Sequence, residues 1–333
     1  MKPFQLCGLG NALVDIFVEI SEPEFTSLGF ERGGMQLVDL AAQRALLDSY
    51  QKHEPRLVSG GSVANSIIAF SQLGGKGAFI GCVGDDRYGL FYVSEFEELG
   101  IEIGNPIIVN EATGTSVCLI TPDAERTMRT CLAVASHLSA RHVDEARIRD
   151  SEWLFIEGYV FANPDTGQTA IQEAIRVARL HGTRIAITCS DAFVVQVFGN
   201  ALNGALQHAD LFFCNETEAC AVTGASGAEE AFNALKAKLP SVVVTNGRHG
   251  AYIRHAGTET HVPAFPSEPK DLTGAGDMFA GSFLYGIING VPPEKAARAA
   301  SFLAHKVIGQ VGARLHRGTR QFWDECLARS PSE

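Results

Sequence analysis

The sequence predicts an α/β fold: a doubly wound, mostly parallel sheet flanked by helices, with a small second β-sheet inserted into it. Three observations carry that expectation. Strand-length apolar runs alternate with amphipathic helical stretches along most of the chain, the pattern of a parallel sheet covered on both faces. Several runs, Val242–Val244 among them, are continuously apolar, as strands buried on both faces are. Two segments break the alternation with short strands of their own.

Phe4–Gly10 reads as the first strand. Val63–Leu73 reads as a helix, Ala78–Val83 as a strand and Gly89–Leu99 as a helix. The alternation resumes with strand Trp153–Glu157, helix Thr166–His181, and strands Arg184–Thr188 and Asp210–Cys214. Helices Glu216–Val222 and Ala228–Leu239 precede strand Ser241–Thr245. Long helices near Ala275–Asn289 and Pro292–Val311 close the pattern. The interruptions are Val14–Ile20 with Met35–Val38, then Pro106–Asn110, Ser116–Thr121 and Thr127–Cys131. Segments 1–12, 39–103 and 132–333 are therefore expected to form the core, and 13–38 with 104–131 a β-sheet lid. The tail Ser330–Glu333 is expected to be loose.

Composition narrows the function. A net charge of −11 argues against a nucleic-acid polymer as partner, because such surfaces need a basic stripe. The eight cysteines contain no Cys-x-x-Cys pair and mostly lie in apolar runs, as reduced, buried thiols do. No His-Glu-x-x-His occurs, no apolar run is long enough to span a membrane, and Met-Lys-Pro-Phe-Gln does not read as a secretory leader. A cytoplasmic protein is expected.

The chemistry concentrates at Asp271-Leu272-Thr273-Gly274-Ala275-Gly276-Asp277, before the helical run Met278–Ile288. First-turn helix amides lack carbonyl partners and the helix dipole adds positive charge, so an anionic phosphoryl group can sit there. Gly274 and Gly276 admit close approach, and Asp277 can take a proton from an attacking hydroxyl. Gly60-Gly61-Ser62-Val63-Ala64-Asn65 opens another helix. Asn65 offers a donor and an acceptor to a sugar hydroxyl, and Ser62 is a candidate N-cap. Gly10-Asn11 and Asp15 follow the first strand, where open α/β sheets gather ligands. Asp15 can accept from vicinal hydroxyls, or form an Asx turn. Asn215 and Glu218 lie one helical turn apart and fit either a water-mediated Mg²⁺ site or a capping box. Thr245-Asn246-Gly247-Arg248-His249-Gly250 fits a turn beneath a nucleotide or a hairpin turn. Gly74-Gly75-Lys76-Gly77 has the wrong order for a P-loop, and Gly8–Leu13 lacks the last glycine of a dinucleotide fingerprint.

Taken together, Gly60-Gly61 with Asn65, Asn215-x-x-Glu218 and Asp271-x-Thr273-Gly274-Ala275-Gly276-Asp277 resemble the PfkB, or ribokinase-like, family of carbohydrate and nucleoside kinases, from about Phe4 to Arg314. The opening Gly8–Ile16 is most similar to that of adenosine kinases, and the stretch Asp123–Met128 is similar to a lid segment of bacterial adenosine-kinase-like members. The resemblance implies the ribokinase-like fold with its small β-sheet lid, and ATP and Mg²⁺ as cofactors. It makes Asp277 the base, and the amides of Gly274, Ala275 and Gly276 the anion hole. It gives the sugar hydroxyls to Asn11, Asp15, Gly61 and Asn65, and brings Arg126 from the lid toward the phosphates. It gives Asn215 and Glu218 to Mg²⁺ and the ATP phosphates, and sets Thr245, Gly247, Gly250 and Ala304 beside the nucleotide. Some members need a monovalent cation, K⁺, bound by carbonyls around the positions of Asp271, Thr273 and Gly312. Relatives often follow the lid segment with Gly-Ala, where this chain has Leu132-Ala133-Val134-Ala135-Ser136. Tyr159 and Phe161 are expected either to stack on a base or to belong to the core.

The expected activity is ATP-dependent phosphorylation of a ribosyl hydroxyl, most of all the 5′-hydroxyl of adenosine. A sugar kinase acting on ribose, fructose or a keto-sugar acid is the alternative of the same chemistry. An inactive nucleotide-binding regulator and an NAD-dependent oxidoreductase are alternatives of other classes. The expected partner is a small nucleoside or sugar, with no membrane, and the protein is a monomer or a homodimer paired through its lid.

Overall fold

The computed structural model describes residues 2–53, 55–104, 107–123 and 125–329. Its centre is a nine-stranded sheet, in spatial order Thr258–Val262, Ala251–His255, Val242–Thr245, Leu211–Asn215, Arg184–Thr188, Ser151–Glu157, Phe4–Leu9, Gly77–Ile80 and Glu102–Ile103. All neighbours from Val242–Thr245 to Glu102–Ile103 run parallel. The final hairpin adds the two antiparallel strands.

Alternate residues of each strand feed two separate cores, because successive side chains point to opposite faces. Leu6, Trp153 and Phe155 pack with helices Ser62–Gln72, Ala275–Ile288, Pro293–Val307 and Thr319–Ala328. Cys7, Leu154 and Ile156 pack with helices Gly167–Leu180, Ala192–Leu206, Glu216–Thr223 and Ala228–Lys236. This is the doubly wound arrangement expected from the alternation of apolar runs.

The second sheet has five strands, ordered Met35–Leu37, Arg126–Cys131, Gly114–Ile120, Leu13–Glu19 and Arg56–Gly60. Its make-up departs from the sequence reading in two places. Arg56–Gly60, read within the core segment, pairs antiparallel to Leu13–Glu19. Five residues ending in Ser-Gly carry no strand signature of their own, and the partner strand supplies the order. Ile107–Ile108, read as lid, instead pairs with Val83–Gly84 in a separate two-stranded sheet. Pro106 of that expected strand, Ala124 of the lid turn and the tail 330–333 lie outside the described residues. Helix Leu40–Ser49 docks on the small sheet, where buried Gln43 donates to the carbonyls of Thr115 and Arg129 at 3.0 and 3.1 Å.

One glycine joins the two sheets. The strand Arg56–Gly60 passes directly into helix Ser62–Gln72 through Gly61, whose φ of +108° lies in the region glycine favours. A Cβ there would stand 2.1 Å from the carbonyl oxygen of Asn11. The small sheet is thereby tied to the carboxyl end of the first core strand, where ligands of open α/β sheets bind.

Candidate active site

Helix Ala275–Ile288 starts at Gly274, which caps it in a left-handed conformation, φ +77°. A Cβ on Gly274 would meet the Ala313 carbonyl oxygen at 2.1 Å, whereas one on Gly276 would meet nothing within 4 Å. Gly274 is thus required by the fold, and Gly276 leaves an open approach to the helix tip. The Ala275 amide is turned back to the Leu272 carbonyl at 3.3 Å.

Asp277 stands in the first turn, and its carboxylate is gripped from helix Ser62–Gln72. Ser62 Oγ donates to Oδ1 at 2.7 Å and Asn65 Nδ2 to Oδ2 at 3.0 Å. Ser62, the candidate N-cap, does not cap its helix. Gly61 takes the cap instead, and the Ser62 hydroxyl is left for Asp277. Burial pushes the Asp277 carboxyl up to about 6, with the two donors pulling the other way.

Gly61 lies against the Asn11 carbonyl and accepts the Asn65 amide at 2.8 Å, and Asn11 also meets a carboxylate, Glu157, that no sequence motif singles out. Glu157 is 1% exposed. Its Oε1 accepts from Asn11 Nδ2 at 2.9 Å and its Oε2 from the Val63 amide at 3.1 Å. Burial raises its carboxyl to about 7, opposed by those donors. The available signal was a carboxylate ending the apolar run Trp153–Ile156. Asn11 Oδ1 and Asn65 Oδ1 are both buried and have no hydrogen-bond partner. Buried polar atoms are rarely left unpaired, and these two acceptors are free to take hydrogen bonds from a donor.

Asp15 lies within strand Leu13–Glu19, not in an Asx turn, and its carboxylate abuts Gly60, where a Cβ would be 2.5 Å from Oδ2. Burial lifts it to about 6, Arg314 and Arg126 draw it back, and Asp277 adds to the rise. Arg314, also missed by sequence reading, is 6% exposed. It grips Glu95 through two 2.9 Å bonds and reaches Ser59 of the small sheet at 3.3 Å. Arg126 bonds Asp271 and Thr273 directly, and Asp271 also accepts the Gly312 amide at 2.7 Å.

Asn215 and Glu218, at the end of strand Leu211–Asn215, form the capping box. Glu218 accepts from Asn215 N at 3.0 Å and Nδ2 at 2.7 Å, and the Glu218 amide donates to Asn215 Oδ1 at 2.9 Å. Burial raises Glu218 to about 7; the Asn215 amide opposes this, and Asp191 and Asp277 reinforce it. Thr245 ends its strand, and Gly247 and Gly250 turn the chain into the antiparallel hairpin with φ of +50° and +92°. Ala304 lies on helix Pro293–Val307, which packs against that hairpin. Phe161 is 2% exposed and belongs to the core. Tyr159 is half-buried and stacks on Phe193 with centroids 6.2 Å apart.

These shifts predict a pH dependence with opposite signs for two readouts. The resemblance makes Asp277 the base, and a base works ionised, so kcat/KM is expected to fall as pH drops below about 6, the value at Asp277. Stability should run the other way in the ligand-free protein. Carboxyls raised in the fold contribute most below their unfolded values, roughly 4, and that contribution is lost as pH rises through about 6 to about 7. A pH–rate profile and thermal melts across pH 4–8 check both limbs.

Residues 36–319 match the family model described as pfkB family carbohydrate kinase. The ribokinase of Haemophilus influenzae is 28% identical over 276 residues, covering 80% of this chain and 86% of the relative. The adenosine kinase of Saccharomyces cerevisiae is 27% identical, covering 92% and 95%. The solved adenosine kinase of Sinorhizobium meliloti superposes with a TM-score of 0.86 at 27% identity, covering 97% of this chain and 99% of that one. One family model over most of the chain, and kinases of both substrate classes along its length, agree with an open helix tip beside a carboxylate. The chain belongs to the pfkB family of carbohydrate kinases and is an ATP-dependent kinase of sugars or nucleosides.

Proposed function

We propose that the protein transfers the γ-phosphoryl group of ATP to a ribosyl hydroxyl, with the 5′-hydroxyl of adenosine as the first acceptor. The observation that carries this reading is the pair of orphaned acceptors, Asn11 Oδ1 and Asn65 Oδ1, on side chains whose amide nitrogens bond Glu157 and Asp277. Vicinal sugar hydroxyls donate to such acceptors. Asp277 then orients the attacking hydroxyl and takes its proton, while the tip of helix Ala275–Ile288 receives charge gathering on the transferred group. Coverage of 92% by an adenosine kinase sequence supports the nucleoside, as does half-buried Tyr159 as a base platform. The sugar-kinase alternative draws on Phe161, the second expected platform, which is packed into the core.

Mg²⁺ fits this site as an ion carried by nucleotide and water. Both Glu218 oxygens are engaged by Asn215, and no group of three or more His, Cys, Asp or Glu side chains among the described residues is placed to hold a metal. A hydrated Mg²⁺ needs only one or two carboxylates, often through water, and Glu218 is the residue we assign to that water. Bound there, the ion would neutralise phosphate charge.

We place the enzyme in a reducing compartment, the cytoplasm, on the strength of eight free cysteines, seven of them buried. The edge strand Met35–Leu37 exposes Met35 by 50% and Leu37 by 58%, which supports pairing of two lids over a monomer. ADP release measured with adenosine, other nucleosides, ribose and fructose tests the acceptor. Turnover of adenosine at least about tenfold above any free sugar in kcat/KM is expected, a difference of about 1.4 kcal/mol. An inert adenosine with an active sugar would transfer the assignment to the sugar kinases.

A further inference from the structure

Arg314 lies in the segment 308–318, between helices Pro293–Val307 and Thr319–Ala328, and its contacts join two walls of the site. Its side chain is 7% exposed and that of Glu95 is 27% exposed. Arg314 Nη2 donates to both Glu95 oxygens at 2.9 Å, and Nη1 donates to Ser59 Oγ at 3.3 Å. The Ser59 amide closes the triangle, donating to Glu95 Oε2 at 2.8 Å. Helix Arg87–Glu98, which carries Glu95, also reaches the next residue of the strand, where the Tyr92 hydroxyl donates to the Gly60 carbonyl at 3.5 Å. Gly60 abuts Asp15, and Gly61 leads into the helix whose Ser62 and Asn65 hold Asp277. Arg314 follows Ala313, the residue against which Gly274 is packed, and Gly312, whose amide bonds Asp271. One residue thus meets the acceptor wall through its side chain and adjoins the seat of the helix tip through its backbone.

We propose that Arg314 is a positioning residue for phosphoryl transfer, setting the spacing between strand Arg56–Gly60 and the tip of helix Ala275–Ile288. Helices Ser62–Gln72 and Ala275–Ile288 pack on each other, which fixes their axes. The two site corners lie just before those helices, at Gly61 and Gly274, with φ of +108° and +77°. Glycine brings backbone freedom at both corners, and the Arg314 clamp removes it. A charge-assisted bond holds geometry more firmly than a neutral one. Spacing matters here because reacting atoms must stand about 3–3.5 Å apart. Loss of the side chain should loosen the corners without unfolding the protein. Glu95 is exposed enough to take water in place of the arginine. The segment also keeps two other anchors, Gln72 Nε2 on the Leu315 carbonyl at 2.9 Å and Gln310 Nε2 on the Arg314 carbonyl at 2.6 Å.

The kinetic arm of the test rests on the acceptor assignment made above; the exchange arm does not. Steady-state rates with adenosine and with ribose, at varied ATP, are measured on the wild type, Arg314→Met, Arg314→Lys, Glu95→Gln, and Arg314→Met combined with Glu95→Gln. Arg314→Met should lose at least about tenfold in kcat/KM for the acceptor. Its KM for ATP should stay within about twofold of the wild type, because Asn215 and Thr245 end other strands of the sheet. Arg314→Lys should recover part of the rate, since an ammonium can meet Glu95 but lacks the second nitrogen that reaches Ser59. Adding Glu95→Gln to Arg314→Met should cost less than about twofold more, as for two partners of one interaction. In the ligand-free proteins, amide hydrogen exchange over 59–63 and over 272–276 should lose protection together in Arg314→Met. An unchanged acceptor kcat/KM in folded Arg314→Met overturns the proposal, as does an equal loss on the ATP side, which marks a merely structural residue. Losses that multiply in the double variant, or exchange that quickens only within 309–318, overturn it too. If the wild type phosphorylates neither adenosine nor ribose, the acceptor assignment falls while the exchange pattern still decides the clamp.

Discussion

Asp277→Asn is expected to lower kcat by about 10²–10⁴-fold or more, the range for loss of a positioned general base, with the KM for ATP close to that of the wild type. The asymmetry follows from where the carboxylate points. Asp277 is held by Ser62 and Asn65 from the facing helix, on the hydroxyl side of the site, while ATP is assigned to the Asn215 and Thr245 side. The amide is nearly isosteric, and the Ser62 hydroxyl can rotate to serve as acceptor, so the fold should survive. The pH profile separates this from a general loss of structure. An acid limb near 6 is expected from Asp277 in the wild type and should vanish from the residual activity of the variant. Turnover near the wild-type level in a folded Asp277→Asn protein would remove Asp277 from the mechanism.

What could be read from the sequence divides along physical lines. The parallel strands were legible because burial on both faces leaves a run such as Val242–Val244 apolar throughout. Helix Ala192–Leu206 was not. Its first half, Phe193, Val194, Val195, Val197 and Phe198, is apolar on every side, which hides a 3.6-residue period, and Phe198 breaks the helical backbone at φ −119°. Strand Arg56–Gly60 exists through its pairing with Leu13–Glu19, a long-range fact absent from local composition. The site follows the same rule. Gly61, Asn65, Gly274 and Asp277 stand in short motifs whose function demands local geometry, so their spacing betrays them. Glu157 acquires its place from Asn11, 146 residues away in sequence, and Arg314 from Glu95, 219 residues away. Neither has a motif to announce it. Ser62 was legible as a polar helix-start residue, yet its role changed once Gly61 took the cap.

Gly274→Ala and Gly276→Ala should behave as opposites, though they sit two residues apart in one motif. At Gly274 an alanine meets two penalties. Its backbone is left-handed, φ +77°, which costs an L-residue about 1–2 kcal/mol. Its Cβ would fall 2.1 Å from the oxygen, 2.4 Å from the Cα and 2.6 Å from the carbonyl carbon of Ala313. Those are backbone atoms, which cannot rotate aside as a side chain can. Relief requires the 312–313 segment to move, and with it the Gly312 amide bonded to Asp271. The expected result is destabilisation of about 2–4 kcal/mol, in the upper range for a point substitution. Catalysis should fall by at least about 10²-fold, since a misplacement near 1 Å is enough for that. At Gly276 nothing lies within 4 Å of a Cβ, and alanine is favoured over glycine in a helix by up to about 1 kcal/mol. Gly276→Ala should therefore melt at or above the wild-type temperature, yet lose kcat/KM, because the added methyl stands where a phosphoryl group must approach the helix tip. Melting curves and steady-state rates on the two variants separate the glycine the fold needs from the glycine the ligand needs. A Gly276→Ala enzyme as fast as the wild type would mean that the transferred group does not pass over this helix tip.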